Sequence, residues 1–233
     1  MAVIALKDYC LAPENGTQGL APFDISLASG DVCAVQTDTP DLGHLFLRAV
    51  AMILDPLFGE YHFDGVQLSP RRYDEWLQYR RRISYVGPFS ALISNLSIRE
   101  NLLLSRYYYE NDLSVPLSED VEGLCHAAGL SAKLALRPAD LTPLGRRIAI
   151  AIRELSREAR LIVLDHTEDL LGHAAFKLLL GRIQTMQRQG VPVIMMSEGD
   201  SPIHRMTNRT IVIAGGRLRE AVGPADDQMA PRH

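Results

Sequence analysis

Two apolar runs constrain this chain more than any other feature. "ARLIVLDH" ends at His166 and "VPVIMMSEG" ends at Gly199, and neither alternates polar with apolar residues. A strand that is apolar on both faces lies inside a parallel sheet covered by helices on both sides. The stretch between the runs, Ala174–Gln189 followed by Gly190, has helical spacing. Strand, helix, strand in this form is a βαβ unit, so the last third of the chain is an α/β core.

The first third is rich in β signals. "VIALKDYCLA" reads as a strand, and "FDISLASGDVCAVQT" as a strand, a Ser-Gly-Asp turn and a second strand. "VQTDTPDLGHL" then reads as a loop, with a helix from Leu45 to Ile53 ended by Asp55-Pro56. "GEYHFDGVQL" reads as an edge hairpin or a strand, "SPRRYDEWLQYRRR" as a charged helix and "ISYVG" as a short strand. The middle is helical, in "SIRENLLLSRYYY", in "SEDVEGLCHAAGL" and in "GRRIAIAIRELSRE". Ser118 and Glu119 mark the start of the second of these and Gly129 its stop. "RTIVIAGGRLREAV" reads as a hairpin about Gly215-Gly216, followed by a polar tail. The expected division is 1–87 as a β subdomain and the first part of the core, 88–156 as a helical subdomain, 157–222 as the rest of the core, and 223–233 as a loose end.

With 233 residues, 47% of them apolar, the chain suits one globular unit. A net charge of -4 gives no footprint for nucleic acid. The best membrane candidate, Leu45–Phe58, is short and interrupted by Arg48 and Asp55. The N-terminus lacks the pattern of a signal peptide. The three cysteines, Cys10, Cys33 and Cys125, are too scattered for a metal or redox pair and fit a reducing compartment. His166 and His173 with Asp165, Glu168 and Asp169 show no recognisable ligand spacing, so no metal site is expected.

The blocks "LASGDVCAV", "GEYHFDG", "RRRISYVGPFSALISNLSIRENLLL", "LRPADLTPLGRRIAIAIRELSREARLIVLD" and "VPVIMMSEGD" follow one another at characteristic distances. In order and spacing the chain resembles the ATP-binding cassette (ABC) ATPase subunit of ABC transporters, over roughly residues 3–220. The resemblance implies a P-loop NTPase-like α/β core with an antiparallel β subdomain and a helical subdomain. It also places the family's motifs. The Walker A loop falls on Thr37–His44, with Thr37, Pro40 and Leu42 at glycine positions, Gly43 at the lysine and His44 at the magnesium ligand. Pro40 has no N–H to offer a phosphate. The Q-loop glutamine position is Pro88, and the signature motif reads Leu141-Thr142-Pro143-Leu144-Gly145. The Walker B aspartate is present as Asp165, followed by His166 where active members carry a glutamate base. Gly172 occupies the D-loop aspartate position and Glu198 that of the switch histidine. Leu11 aligns with the adenine-stacking aromatic, and Tyr9 is a nearby substitute.

These replacements imply a pseudo-ATPase with no catalytic residues and no cofactor, degenerate at Pro88, Asp165, His166 and Glu198. The alternative is a diverged subunit that still takes ATP and Mg, or a non-transport module on the same fold. The Q-loop segment keeps the look of a permease-facing surface at Phe89, Ser90, Ala91, Leu92, Ile93 and Leu96. The implied partners are an integral membrane permease and a second cassette chain, identical or different, on the cytoplasmic face of the membrane. The segment is similar to cassette subunits of Mce-type lipid-trafficking systems.

Overall fold

A computed structural model describes residues 2–14, 16, 18–69, 72–110, 114–196 and 202–221. In chain order the elements are β1 (Ala2–Leu11), β2 (Leu20–Ala28), β3 (Val32–Thr37), α1 (Pro40–Val50), β4 (Phe58–Phe63), β5 (Val66–Leu68), α2 (Tyr73–Arg80) and β6 (Ile83–Val86). Then come α3 (Ile98–Glu110), α4 (Glu119–Ala127), α5 (Pro143–Leu155), β7 (Leu161–Asp165), α6 (Thr167–Leu171), α7 (His173–Arg188), β8 (Val193–Met196), β9 (Arg209–Ala214) and β10 (Arg217–Ala221). Glu198 and the tail after Ala221 lie outside the described residues.

The strands form two sheets. One is antiparallel, in the order β2-β1-β4-β5, and includes the expected hairpin at 58–68. The other runs β10-β9-β3-β8-β7-β6; its pairs are parallel except the β9–β10 hairpin. The two apolar runs supply its centre, and every residue of β7 and β8 is buried. Their side chains go alternately to two cores. Leu161, Val163, Ile194 and Met196 join Phe46 and Leu47 of α1, with Tyr9, Phe23 and Tyr61 of the antiparallel sheet. Ile162, Leu164, Val193 and Met195 join the middle helices and α7, through Ile152, Leu155, Phe176 and Ile183. The period-2 geometry of a strand requires this split, and it is why the runs cannot alternate in polarity.

The first helix differs from its sequence reading. It begins at Pro40 rather than Leu45, so the loop between β3 and α1 shrinks to Asp38 and Thr39. Proline at a first helical position loses no hydrogen bond, because that N–H has no intrahelical partner. The charged helix α2 also has a core role, since Trp76 is 5% exposed and its Nε1 donates to the Met52 carbonyl at 3.2 Å.

The entry to α3 is built from two local devices. Ser97 and Glu100 form a capping box: the Ser97 N–H donates to the Glu100 carboxylate and the Glu100 N–H to the Ser97 hydroxyl. Asn101, fully buried, accepts from the Ile93 N–H at 2.7 Å and donates to the carbonyls of Ile93, Leu96 and Ser97. One side-chain amide therefore folds the segment 93–97 onto the helix. Replacing Asn101 by alanine strands buried backbone groups and should lower stability by about 3 kcal/mol, read as a shift in the urea unfolding midpoint at constant slope.

Candidate functional site

The C-terminal edge of the parallel sheet gathers the polar residues. Asp165 ends β7 and is fully buried. Its Oδ2 accepts from the Tyr85 hydroxyl of β6 at 2.7 Å, and its Oδ1 lies 2.7 Å from His44 Nδ1 of α1. Burial, then the Asp165 charge, pushes the Tyr85 phenol well above its ordinary pKa, so it stays protonated and donates. The Asp165 hydrogen bond raises the His44 pKa, against the opposing effect of burial. His166 follows with a left-handed backbone, φ 48°, and its Nδ1 lies 3.0 Å from Asp169 Oδ2. The His44 and His166 ring centroids are 5.2 Å apart.

Glycines let these elements close together. A β-carbon on Gly87 would stand 2.7 Å from Asp165 Cβ and 2.7 Å from the Tyr85 hydroxyl. A β-carbon on Gly43 would meet Met196 Sδ at 2.1 Å. Gly43, at the lysine position, thus lies against the end of β8. The neighbouring backbone donors turn inward: the Thr39 N–H goes to Thr37 Oγ1, the Leu42 N–H to the Thr39 carbonyl and the Asp38 N–H to the Ile213 carbonyl. Asp38 itself accepts from the Gly215 N–H.

The other sequence-selected residues take different positions. Leu141–Gly145 form the start of α5, where Thr142 accepts from the Gly145 N–H, Pro143 fills the first turn and Leu144 is exposed. Pro88 is exposed just after Gly87. Tyr9 and Leu11 are buried in the first core, which corrects Tyr9 as a surface for stacking adenine. His173, grouped with His166 by sequence, pairs instead with Glu168 at 2.8 Å. His44 takes its place beside Asp165, from 121 residues away, and no spacing rule signals that.

Phe89 and Ile93 are exposed at 51% and 41%. Phe89 lines a groove of about 500 Å³ together with Leu77, Tyr85, Ala91, Leu104 and the cations Arg80, Arg81 and Arg157. Leu92 turns inward and packs against the second core. Arg153 of α5, missed in the sequence because it looks like a surface cation, is 8% exposed and donates to the Ala91 carbonyl at 2.8 Å and to Glu154 at 3.0 Å. The Phe89 ring meets the His44 ring edge-on at 6.0 Å and lies under the Arg48 guanidinium at 4.6 Å.

This architecture matches solved structures over nearly its whole length. A post-hydrolysis dimer of the ATP-binding cassette MJ0796 bound to ADP and Pi superposes with a TM-score of 0.76 at 19% identity, covering 94% of this chain and 97% of that one. A structure described as the ATP binding subunit of an ABC transporter gives 0.78 at 19% identity, with 97% and 91% covered. The fold is that of an ATP-binding cassette.

In sequence, the chain is 23% identical over 210 residues to the methionine import ATP-binding protein MetN of Haemophilus influenzae, covering 89% of this chain and 60% of MetN. It is 25% identical over 224 residues to the macrolide export ATP-binding/permease protein MacB of Marinobacter nauticus, covering 92% of this chain and 34% of MacB. The chain thus spans little more than half of MetN and about a third of MacB. No family model matches it.

These likenesses overturn one expectation. A chain that takes no cofactor finds no support, since these relatives are called ATP-binding proteins and one solved neighbour holds ADP and Pi. Nor does a pseudo-ATPase reading find support among them. In Thr37–Gly43 the N–H groups of Asp38, Thr39, Leu42 and Gly43 are engaged within the protein, Pro40 has none, and Gly43 abuts Met196, so these positions do not form the family's cradle of glycine N–H groups and lysine. His44 and Asp165 do fit a cation.

The Asp165 pairing gives a direct test. Tyr85→Phe keeps the ring and leaves Asp165 Oδ2 without its donor, so it should destabilise the fold by about 1–3 kcal/mol in denaturant titrations.

Proposed function

We propose that the chain is a diverged ATP-binding subunit of a membrane transport complex, one that docks on a permease and pairs with a second cassette chain. The observation that carries this reading is the groove beside Phe89–Ile93. Its lining mixes the apolar Phe89, Leu77, Ala91 and Leu104 with the cations Arg80, Arg81 and Arg157, and Arg153 ties the Ala91 wall to α5. A pre-formed groove with apolar and basic walls suits a short amphipathic helix from a partner. The segment is also the one that the family's permease-facing look singles out in the sequence. Among the described residues no helix is long and apolar enough to cross a membrane, so attachment through a permease fits.

Nucleotide comes to this reading from the names of the relatives, with phosphate contacts drawn from residues other than a Walker A lysine. Hydrolysis is slow in this scheme. The glutamate position is His166, already engaged with Asp169, and the glutamine position is Pro88. A positioned general base contributes about 10²–10⁴-fold to such reactions.

Two measurements check the proposal. Titrating the chain with Mg-ATP in a calorimeter, alone and with its partner chains, should show binding with turnover at least about a hundredfold below that of a cassette carrying the glutamate. Absence of nucleotide binding in every assembly would remove the ATP-binding reading. Phe89→Asp with Ile93→Asp should release the chain from membranes of its native host without altering its circular dichroism. Unchanged membrane association of that variant would sink the docking surface.

A further inference from the structure

We propose that His44, Asp165 and His166 form a binding site for a divalent transition metal of the zinc class. The three side chains offer ligand atoms that all lie within 4.8 Å of one another, on α1, at the end of β7 and at the residue after it. The donors are two imidazole nitrogens and one carboxylate oxygen. That set is a three-ligand zinc site with a fourth position for water. Magnesium prefers oxygen ligands and keeps most of its waters, so two imidazoles select against it. The site rests on protein atoms alone and needs no nucleotide, although His44 stands where the family's magnesium ligand aligns.

The surrounding residues hold these ligands as supporting groups hold metal ligands elsewhere. The Tyr85 hydroxyl binds Asp165 Oδ2 and leaves Oδ1 directed at His44. Asp169 binds His166 Nδ1, which fixes the ring tautomer and leaves Nε2 with its lone pair. The His166 backbone is held at φ 48°, an uncommon conformation for a residue with a β-carbon, with its N–H donated to the Met196 carbonyl at 2.8 Å. Asp165 is fully buried, whereas the side chains of His44 and His166 are 23% and 15% exposed, so the open coordination position lies on the solvent side. His44 Nδ1 and Asp165 Oδ1 stand 2.7 Å apart. Two ligands of a tetrahedral zinc lie about 3.3 Å apart, so the pair opens by roughly half an ångström when the cation replaces the proton between them. Phe89 packs against the His44 ring, so the cation would also brace the helix beneath the exposed segment.

The test uses the whole chain, freed of metal by a chelator and then titrated with Zn²⁺ against a chromophoric competitor in the absence of nucleotide. One equivalent should bind, and millimolar Mg²⁺ should not displace it. His44→Ala and His166→Ala should each weaken binding at least a hundredfold, whereas His173→Ala should leave it unchanged. Failure of the unaltered chain to take one equivalent overturns the proposal, as does a site that survives both histidine replacements or yields to Mg²⁺. If either variant does not fold, Co²⁺ in the unaltered chain decides the matter. Low-coordinate nitrogen and oxygen ligation gives an intense visible absorption band, and a spectrum identical to that of aqueous Co²⁺ overturns the site. A Mg-ATP titration that fails while zinc binds leaves this inference standing and removes only the nucleotide.

Discussion

A fully buried carboxylate organises the working edge of this molecule. Removing an ionised group from water is costly unless polar partners surround it. Asp165 meets that demand with one partner from the neighbouring strand, Tyr85, and one from α1, His44. The demand propagates outward. Tyr85 approaches only because Gly87 carries no side chain, and α1 reaches the end of β8 only because Gly43 carries none. His166 must then leave the strand through a left-handed turn to expose its ring beside the same carboxylate. Sheet edge, first helix and the turn after β7 are thus fitted around one charge.

A second set of buried polar contacts governs the exposed segment after β6. Asn101 and Arg153 are interior side chains whose hydrogen-bonding groups face backbone rather than water. They set the conformation of residues 91–97 from two different helices. The outward direction of Phe89 and Ile93 therefore belongs to the fold itself. The same Phe89 touches His44, so the groove and the carboxylate cluster share a wall.

Much of the fold was legible from the polarity of particular runs. Residues 161–165 and 193–196 had to be interior strands because no face of them is polar, and both are. The hairpins at Gly59–Leu68 and Arg209–Ala221 followed from their glycines and alternation. Pro40 was read as a loop residue because proline breaks helices, yet at a first helical position it starts one. The site was less legible. Its defining pair joins residues 121 positions apart, and only the closure of α1 on the sheet edge unites them. The family alignment gave the positions of His44 and Asp165 separately, and it gave no sign that one would bind the other. Nothing in the sequence singles out Asn101 or Arg153, because nothing local says which face of α3 or α5 meets the segment 89–97.

The placement of Arg153 has a mechanical consequence. Near one end of α5 it grips the Ala91 carbonyl, and at the other end Thr142 caps the helix over the residues Leu141–Gly145. Thirteen residues of α-helix make a stiff rod about 20 Å long. The Ala91 carbonyl and the turn at Leu141–Gly145 are therefore held at the two ends of one rigid element.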